Sequence, residues 1–367
     1  MKSKRVIISG GGTGGHVFPA IAIADALKSR EKDIEILFVG ARGKLEMKKV
    51  PEAGYEIKGL PVEGLKRKLA IQNIRVLMNL IKSLRMARRI IKDFGPDAVV
   101  GVGGYASGPV LWSAARRKIP TVIQEQNSFA GVTNKLLAGK AEKICVAYGE
   151  MENFFPAGKI VFTGNPVRDA IRDLSKVSRE DGLEHFGLSG SDPVVLILGG
   201  SLGARTINRG VVKGLDHARQ RGIQLLWQCG DYYYQEMQKA LEKPDHKKIV
   251  LKPFIARMDL AYAAADIIIA RAGAITISEL CFAGKPAILV PSPNVAEDHQ
   301  TKNAMALVKK SAAVHVKDAE AEETMMKTAL ELLGDKEKMK LLSGNIRDLA
   351  VPDAAQKICS EILGLMN

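Results

Sequence analysis

A chain of 367 residues with 46% apolar and 26% charged residues is composed like an ordinary globular protein and is long enough for two cores. No run approaches the roughly 18 apolar residues of a membrane-spanning helix, and Met1-Lys2-Ser3-Lys4-Arg5 passes straight into a strand pattern, which argues against a signal peptide. The net charge of +14 is one-sided: residues 1–166 hold 27 Lys and Arg against 14 Asp and Glu, whereas residues 167–367 hold 27 against 26. Cys145, Cys229, Cys281 and Cys359 are scattered with no C-x-x-C pair, so reduced, buried thiols of a cytosolic protein are expected rather than a disulfide framework or a zinc site.

The first predicted strand, near 5–9, runs into Ser9-Gly10-Gly11-Gly12-Thr13-Gly14-Gly15-His16 and then a helix near 18–30 with Pro19 in its first turn. A glycine turn between strand and helix aims backbone N–H groups and a positive helix end at an anion. His16 sits where that helix begins, facing whatever the loop binds. Gly10-x-Gly12-x-x-Gly15 formally matches a dinucleotide fingerprint, which also needs a carboxylate at the end of the second strand for the ribose. The predicted strand near 34–39 ends instead in Gly40-Ala41-Arg42, so a nicotinamide-dependent oxidoreductase is disfavoured.

After a predicted helix near 43–53, residues 64–92 carry nine basic residues and no acidic one. Within them Ile71, Ile74, Leu77, Met78, Ile81 and Leu84 recur at helical spacing, predicting an amphipathic basic helix over 72–93. Its apolar stripe either joins the core or inserts at an anionic membrane surface. Nucleic acid ranks lower, because the stretch lacks interleaved aromatics. Strands near 97–102, 120–124, 143–147 and 159–163 then alternate with helices near 108–117 and 130–138. A second glycine loop, Gly103-Gly104-Tyr105-Ala106-Ser107-Gly108-Pro109, follows the first of these strands. Gln124-Glu125-Gln126-Asn127 follows the second, and such a polar run is expected to meet a polar ligand such as a sugar.

Gly164-Asn165-Pro166-Val167-Arg168 reads as a junction, after which the rhythm repeats. Strands are predicted near 193–198, 223–227, 248–251, 266–269, 286–290 and 313–316. Helices are predicted near 204–220, 232–242, 257–264, 275–283, 298–309, 321–334 and 353–366. The first of these strands ends in a variant of the opening loop, Gly199-Gly200-Ser201-Leu202-Gly203-Ala204-Arg205. Arg271-Ala272-Gly273-Ala274-Ile275-Thr276-Ile277-Ser278-Glu279 follows another buried strand. Its helix start suits a diphosphate, and Glu279, just over a turn in, suits two ribose hydroxyls. Asp298-His299-Gln300 opens a further helix, with Gln300 suited to sugar hydroxyls. The alternation implies parallel sheets covered on both faces. Two Rossmann-like, doubly wound domains facing a deep cleft are expected: 1–165, and 166–345, with a C-terminal helix over 346–367 that can pack back on the first.

In order and nearly end to end, Gly11–His16, Gly103–Pro109, Glu125-Gln126-Asn127, Gly164–Arg168, Gly200–Arg205 and Arg271–Glu279 resemble the family of bacterial peptidoglycan N-acetylglucosaminyltransferases, glycosyltransferase family 28 or the MurG family. The resemblance implies a GT-B fold and an inverting, metal-independent hexosyl transfer from UDP-N-acetylglucosamine to lipid I, giving lipid II and UDP. It implies a peripheral place on the cytoplasmic face of the cell membrane, with an anionic surface and other cell-wall synthesis proteins as partners and no nucleic acid. By matching positions, Ile255 would read uracil through its backbone and Glu279 would hold the ribose. Ser201, with Ala274, Ile275, Thr276 and Ser278, would hold the diphosphate, with Arg168 and Arg271 nearby. Gln300 and His299 would recognise the N-acetylglucosamine hydroxyls. Thr13, Gly14, Gly15, Gly104, Tyr105 and Asn127 would complete the sugar and acceptor side. Leu202 and His299 stand where the family often has glutamine. Other GT-B enzymes, such as lipid glucosyltransferases and UDP-sugar epimerases, are the nearer alternatives.

One displacement at the anomeric carbon needs one general base and no covalent intermediate. His16 is the first candidate for it and Glu125 the second. Helix amides and Ser201 can take up the charge of the departing diphosphate. No Asp-x-Asp and no His/Cys cluster with ligand spacing occurs, so no metal and no cofactor are expected. The loop at 10–16 is then expected to hold the acceptor's own diphosphate on its N–H groups.

Overall fold

The computed structural model describes residues 3–63, 72–200, 202–242 and 248–366. In the first half, strands β1 (Arg5–Ser9), β2 (Glu35–Ala41), β3 (Glu56–Leu60), β4 (Ala98–Gly101), β5 (Thr121–Glu125), β6 (Lys143–Val146) and β7 (Ile160–Phe162) are joined by helices α1 (Gly14–Arg30), α2 (Glu46–Glu52), α3 (Gln72–Phe94), α4 (Ser107–Ala115) and α5 (Val132–Leu137). Short helices α6 (Asp169–Arg172) and α7 (Arg179–Phe186) lead into the second half. There β8 (Val194–Leu198), β9 (Gln224–Gln228), β10 (Ile249–Lys252), β11 (Ile267–Ala270), β12 (Ala287–Leu289) and β13 (Val314–His315) alternate with α8 (Arg205–Gln220), α9 (Tyr234–Ala240), α10 (Met258–Ala264), α11 (Ala274–Ala283) and α12 (His299–Val308). Helices α13 (Asp318–Gly334), α14 (Lys336–Arg347) and α15 (Ala354–Gly364) close the chain.

All strand pairings are parallel, in the orders β3-β2-β1-β4-β5-β6-β7 and β10-β9-β8-β11-β12-β13. Both are doubly wound orders. The winding reverses between β1 and β4 in one sheet and between β8 and β11 in the other, which opens a crevice at the carboxyl ends of those strands. The four loops that carry most of the sequence motifs start at those strand ends. Because side chains alternate across a strand, each sheet feeds two cores. Ile7 packs with Val39, Val99 and Ile123 on one face, and Val6 and Ile8 pack with Ile23, Leu27 and Val100 on the other. In the second sheet, Val195 and Ile197 join Val211, Trp227 and Met325.

The chain divides into two compact units, Met1–Val167 with Val351–Asn367, and Arg168–Ala350. Helix α15 belongs to the first because Ile358, Cys359, Ile362 and Leu363 enter the core beneath α1, where Arg30 donates to the Ser360 hydroxyl at 2.6 Å. Four elements escape the periodicity reading. The pattern Glu56-Ile57-Lys58-Gly59-Leu60 is too polar to stand out, because β3 is an edge strand with one neighbour. Helix α6 is a single turn, and α7 and α14 are mainly polar with two buried residues each. Helix α1 begins four residues earlier than predicted, with Pro19 inside it.

Candidate functional site

In the first unit the two glycine loops interlock. The Gly11 amide donates to the Gly103 carbonyl at 3.3 Å, and Gly104 lies so close to Gly11 that a Cβ on it would strike the Gly11 carbonyl oxygen. Gly103, at φ +92°, lies under the His16 imidazole, 2.8 Å from where a Cβ would stand. Thr13 is the N-cap of α1 but does not cap it with its side chain. Its hydroxyl instead meets His16 Nδ1 at 3.2 Å. The first-turn amides of Gly14 and Gly15 therefore have no side-chain cap, and His16 is oriented by its own helix terminus. Tyr105 is exposed beside this loop pair.

The expectation that the whole 10–16 loop cradles a diphosphate is corrected by Glu46, a residue that sequence reasoning passed over. Its carboxylate is buried, accepts from the Ala41 amide at 2.9 Å through Oε1, and accepts from the Gly12 amide at 2.8 Å through Oε2. A Cβ on Gly11 would fall on this carboxylate. One donor of the glycine turn is thus already taken by an internal carboxylate. The β2 strand does have an acidic partner, five residues beyond its end, on α2.

Glu125 is corrected as a general-base candidate. It is fully buried; Oε1 accepts from the Asn127 amide (3.1 Å) and side chain (3.2 Å), and Oε2 accepts from the Gly131 amide (3.0 Å) and Asn134 (2.8 Å). Four donors on two oxygens leave no lone pair to take a proton. The rest of the polar run also turns inward. Gln124 donates to Asn165 at 3.0 Å, and Gln126 donates to the Val102 carbonyl at 2.9 Å. Asn165 in turn donates to the Gln126 carbonyl at 3.0 Å. Of the four, Asn127 alone is only partly buried.

In the second unit, α11 starts at Ala274 behind Gly273, whose position gives no side-chain cap, so the amides of Ala274, Ile275 and Thr276 form an uncapped helix end. The Ser278 hydroxyl donates to the Ala274 carbonyl at 3.0 Å, which removes its proton from any phosphate contact. Glu279 is buried and doubly engaged: Arg168 donates to Oε1 through Nε (3.0 Å) and Nη2 (2.8 Å), and Tyr262 donates to Oε2 at 3.0 Å. Burial and the neighbouring carboxylate push the Tyr262 phenol well above its ordinary pKa, so it remains a donor. Tyr262 lies in an apolar helical run, and only the fold brings it to Glu279.

Arg271 is also corrected. Its guanidinium is mostly buried, pairs with Asp318, and donates to the Val290 and Pro291 carbonyls at 3.0 and 3.2 Å. It braces the ends of β11 and β12 against α13 instead of facing a ligand. The Ile255 amide donates to Gln228 Oε1 at 2.9 Å, so its carbonyl, not its N–H, is the group left for a base. Gln300 Oε1 accepts from the Ser292 amide at 2.8 Å, which holds the side chain and leaves its NH₂ group to point elsewhere. His299 opens α12 immediately after Glu297 and Asp298, both at positive φ (54° and 51°), a strained turn of the kind stored at binding loops. Ser201 lies outside the described residues. Among the described residues, no three His, Cys, Asp or Glu side chains are grouped to hold a metal ion.

The model of the glycosyltransferase family 28 N-terminal domain matches residues 6–146, and that of the family 28 C-terminal domain matches residues 194–358. The chain is 56% identical over 368 residues, all of both chains, to a Parabacteroides distasonis protein described as UDP-N-acetylglucosamine–N-acetylmuramyl-(pentapeptide) pyrophosphoryl-undecaprenol N-acetylglucosamine transferase. It is 55% identical to a Porphyromonas gingivalis protein of the same description, over 98% of this chain and 94% of that one. The crystal structure of Acinetobacter baumannii MurG superposes with a TM-score of 0.78 at 30% identity, covering 98% of this chain and 99% of that one. With both family domains matched in order and relatives similar along their whole length, the chain belongs to glycosyltransferase family 28.

Proposed function

We propose that this chain transfers N-acetylglucosamine from UDP-N-acetylglucosamine to the muramoyl 4-hydroxyl of lipid I, the undecaprenyl-diphosphate-linked muramoyl pentapeptide, giving lipid II and UDP. The observation that carries this reading is the 56% identity, over the entire length of both chains, to a transferase so described. That similarity favours the transferase over an epimerase or a lipid glucosyltransferase.

The acceptor oxygen forms its bond to the anomeric carbon as the bond to the diphosphate breaks on the opposite face. UDP leaves with the electron pair, and the centre inverts. His16 takes the acceptor's proton; in the tautomer whose Nδ1–H donates to the Thr13 hydroxyl, Nε2 is the basic nitrogen. The uncapped amides of Ala274, Ile275 and Thr276, with Ser201, meet the charge that grows on the leaving diphosphate. Glu279 binds the ribose, the Ile255 carbonyl meets uracil, and Gln300 with His299 meets the sugar hydroxyls. Thr13, Gly14, Gly15, Gly104, Tyr105 and Asn127 serve the acceptor side.

Helix α3 supports peripheral membrane association. Ala87, Ile90 and Ile91 pack in one core with Val110 and Leu111 of α4 and Val76 is buried, while Leu77, Met78 and Ile81 stay exposed beside the exposed Lys82, Arg85, Arg88 and Arg89. An apolar strip flanked by cations suits partial insertion among anionic headgroups at the cytoplasmic face. Among the described residues no helix is long and apolar enough to cross a membrane.

The test is incubation with radiolabelled UDP-N-acetylglucosamine and lipid I, following lipid II and UDP. Turnover by the wild type and a large loss in Glu279→Ala are expected. An inactive wild type, or full turnover by Glu279→Ala, would sink the reading.

A further inference from the structure

The carboxylate of Glu279 has almost no acceptor capacity to spare. Each oxygen offers two lone-pair sites. Arg168 fills both sites on Oε1, through Nε and Nη2, and Tyr262 fills one on Oε2. A ribose 2′,3′-diol brings two O–H donors, yet the carboxylate as it stands has room for one. The count balances only if a donor leaves.

The two donors are not equally able to leave. Tyr262 is enclosed in the core, with a relative exposure of 1%. Arg168 is the N-cap of a four-residue helix, and its side chain is 46% exposed, against 8% for that of Glu279. The guanidinium can swing into water and be solvated there; the carboxylate cannot. Without a nucleotide, a buried carboxylate left unpaired would be costly, and the arginine covers it.

We propose that Arg168 is a placeholder for the ribose diol on Glu279, exchanged when the nucleotide binds. The diol takes Oε1 and the remaining site on Oε2, Tyr262 stays in place, and the released guanidinium meets the diphosphate. The exchange couples recognition of the ribose to recognition of the phosphates, because a cation is freed only when the sugar has arrived. It rests on the reading that Glu279 binds ribose.

Titration calorimetry on the full chain with uridine and with UDP tests it, because the two ligands should respond in opposite directions. In Arg168→Met uridine should bind roughly fivefold tighter, its competitor gone, while UDP should bind roughly tenfold weaker for want of the cation. General damage to the site would weaken both. Arg168→Lys, which keeps the charge but puts fewer donors on Oε1, should tighten uridine by less and largely spare UDP; it carries the test if the methionine variant fails to fold. Unchanged or weaker uridine binding in the arginine variants, with UDP binding lost in Glu279→Ala, would overturn the exchange alone. Unchanged binding of both ligands by Glu279→Ala would overturn the ribose assignment and the exchange with it.

Discussion

His16 and Glu125 both lie at the carboxyl edge of the first sheet, and their surroundings separate their roles. Both are polar residues just past apolar strands, so the sequence offers no basis for ranking them beyond position. Four donors converge on Glu125 and tie the loop after β5 to α5, whereas His16 has its ring oriented by Thr13 over Gly103. Glu125→Gln should therefore act mainly on stability, lowering it by about 2 kcal/mol because an acceptor oxygen is replaced by a donor facing N–H groups. The acid limb of its pH–rate profile should persist. His16→Asn should fold with little loss but reduce kcat by roughly 10²–10⁴-fold and abolish that limb. A lost acid limb in Glu125→Gln, with the limb intact in His16→Asn, would reverse the assignment. Glu46 and Tyr262 were illegible for a related reason. Each is an unremarked residue in its own segment, and its chemistry comes from backbone or side-chain groups 34 and 17 residues away.

Among the elements, α3 departs most from its pattern. The stripe that includes Leu77, Met78 and Ile81 has the spacing of a core face, yet the core is met by Val76, Ser83, Ala87, Ile90 and Ile91 instead. Periodicity shows that a helix has an apolar face; it cannot show which of two such faces a neighbour covers. Reversing Lys82, Arg85, Arg88 and Arg89 to Glu should leave the thermal midpoint close to that of the wild type, since all four are exposed. Sedimentation with vesicles rich in anionic lipid should fall sharply, by several-fold at 0.1 M salt, where each cation near the surface contributes about 1 kcal/mol. Equal sedimentation of variant and parent would remove the membrane role from this helix. The start of the basic stretch, with Lys66, Arg67, Lys68 and the stripe residue Ile71, lies outside the described residues. Helix α1 illustrates the opposite error. Pro19 reads as a first-turn proline, but Gly14 and Gly15 already form the first turn, so the helix N-terminus and its amides lie nearer the loop than propensity alone indicates.

For the molecule as a whole, the two units have separate cores, and buried thiols report on each. Burial pushes Cys145 of the first unit and Cys281 of the second up to about 12, and Cys229 of the second to about 11; it raises Cys359 of the first as well. At pH 8 a thiol reagent should leave the native protein unmodified and label all four cysteines once denaturant unfolds both units. Labelling of two thiols before the other two would mean that the units unfold separately. The linkage has a definite sign. Because the folded thiols ionise later than the unfolded ones, their contribution is fully present below pH 9 and is lost as pH rises from there towards 11 to 12. The denaturation midpoint should therefore fall between pH 8 and pH 10. The sequence by itself determined the strand–helix alternation, the doubled glycine loops and the family, because these depend on local patterns that survive in a linear string. Tertiary structure decided which members of those patterns are available. The donors on Glu125, the carboxylate of Glu46 against the opening loop, the bracing of Arg271 and the pairing of Arg168 with Glu279 all arise from groups distant in the chain that must satisfy one another once water is excluded.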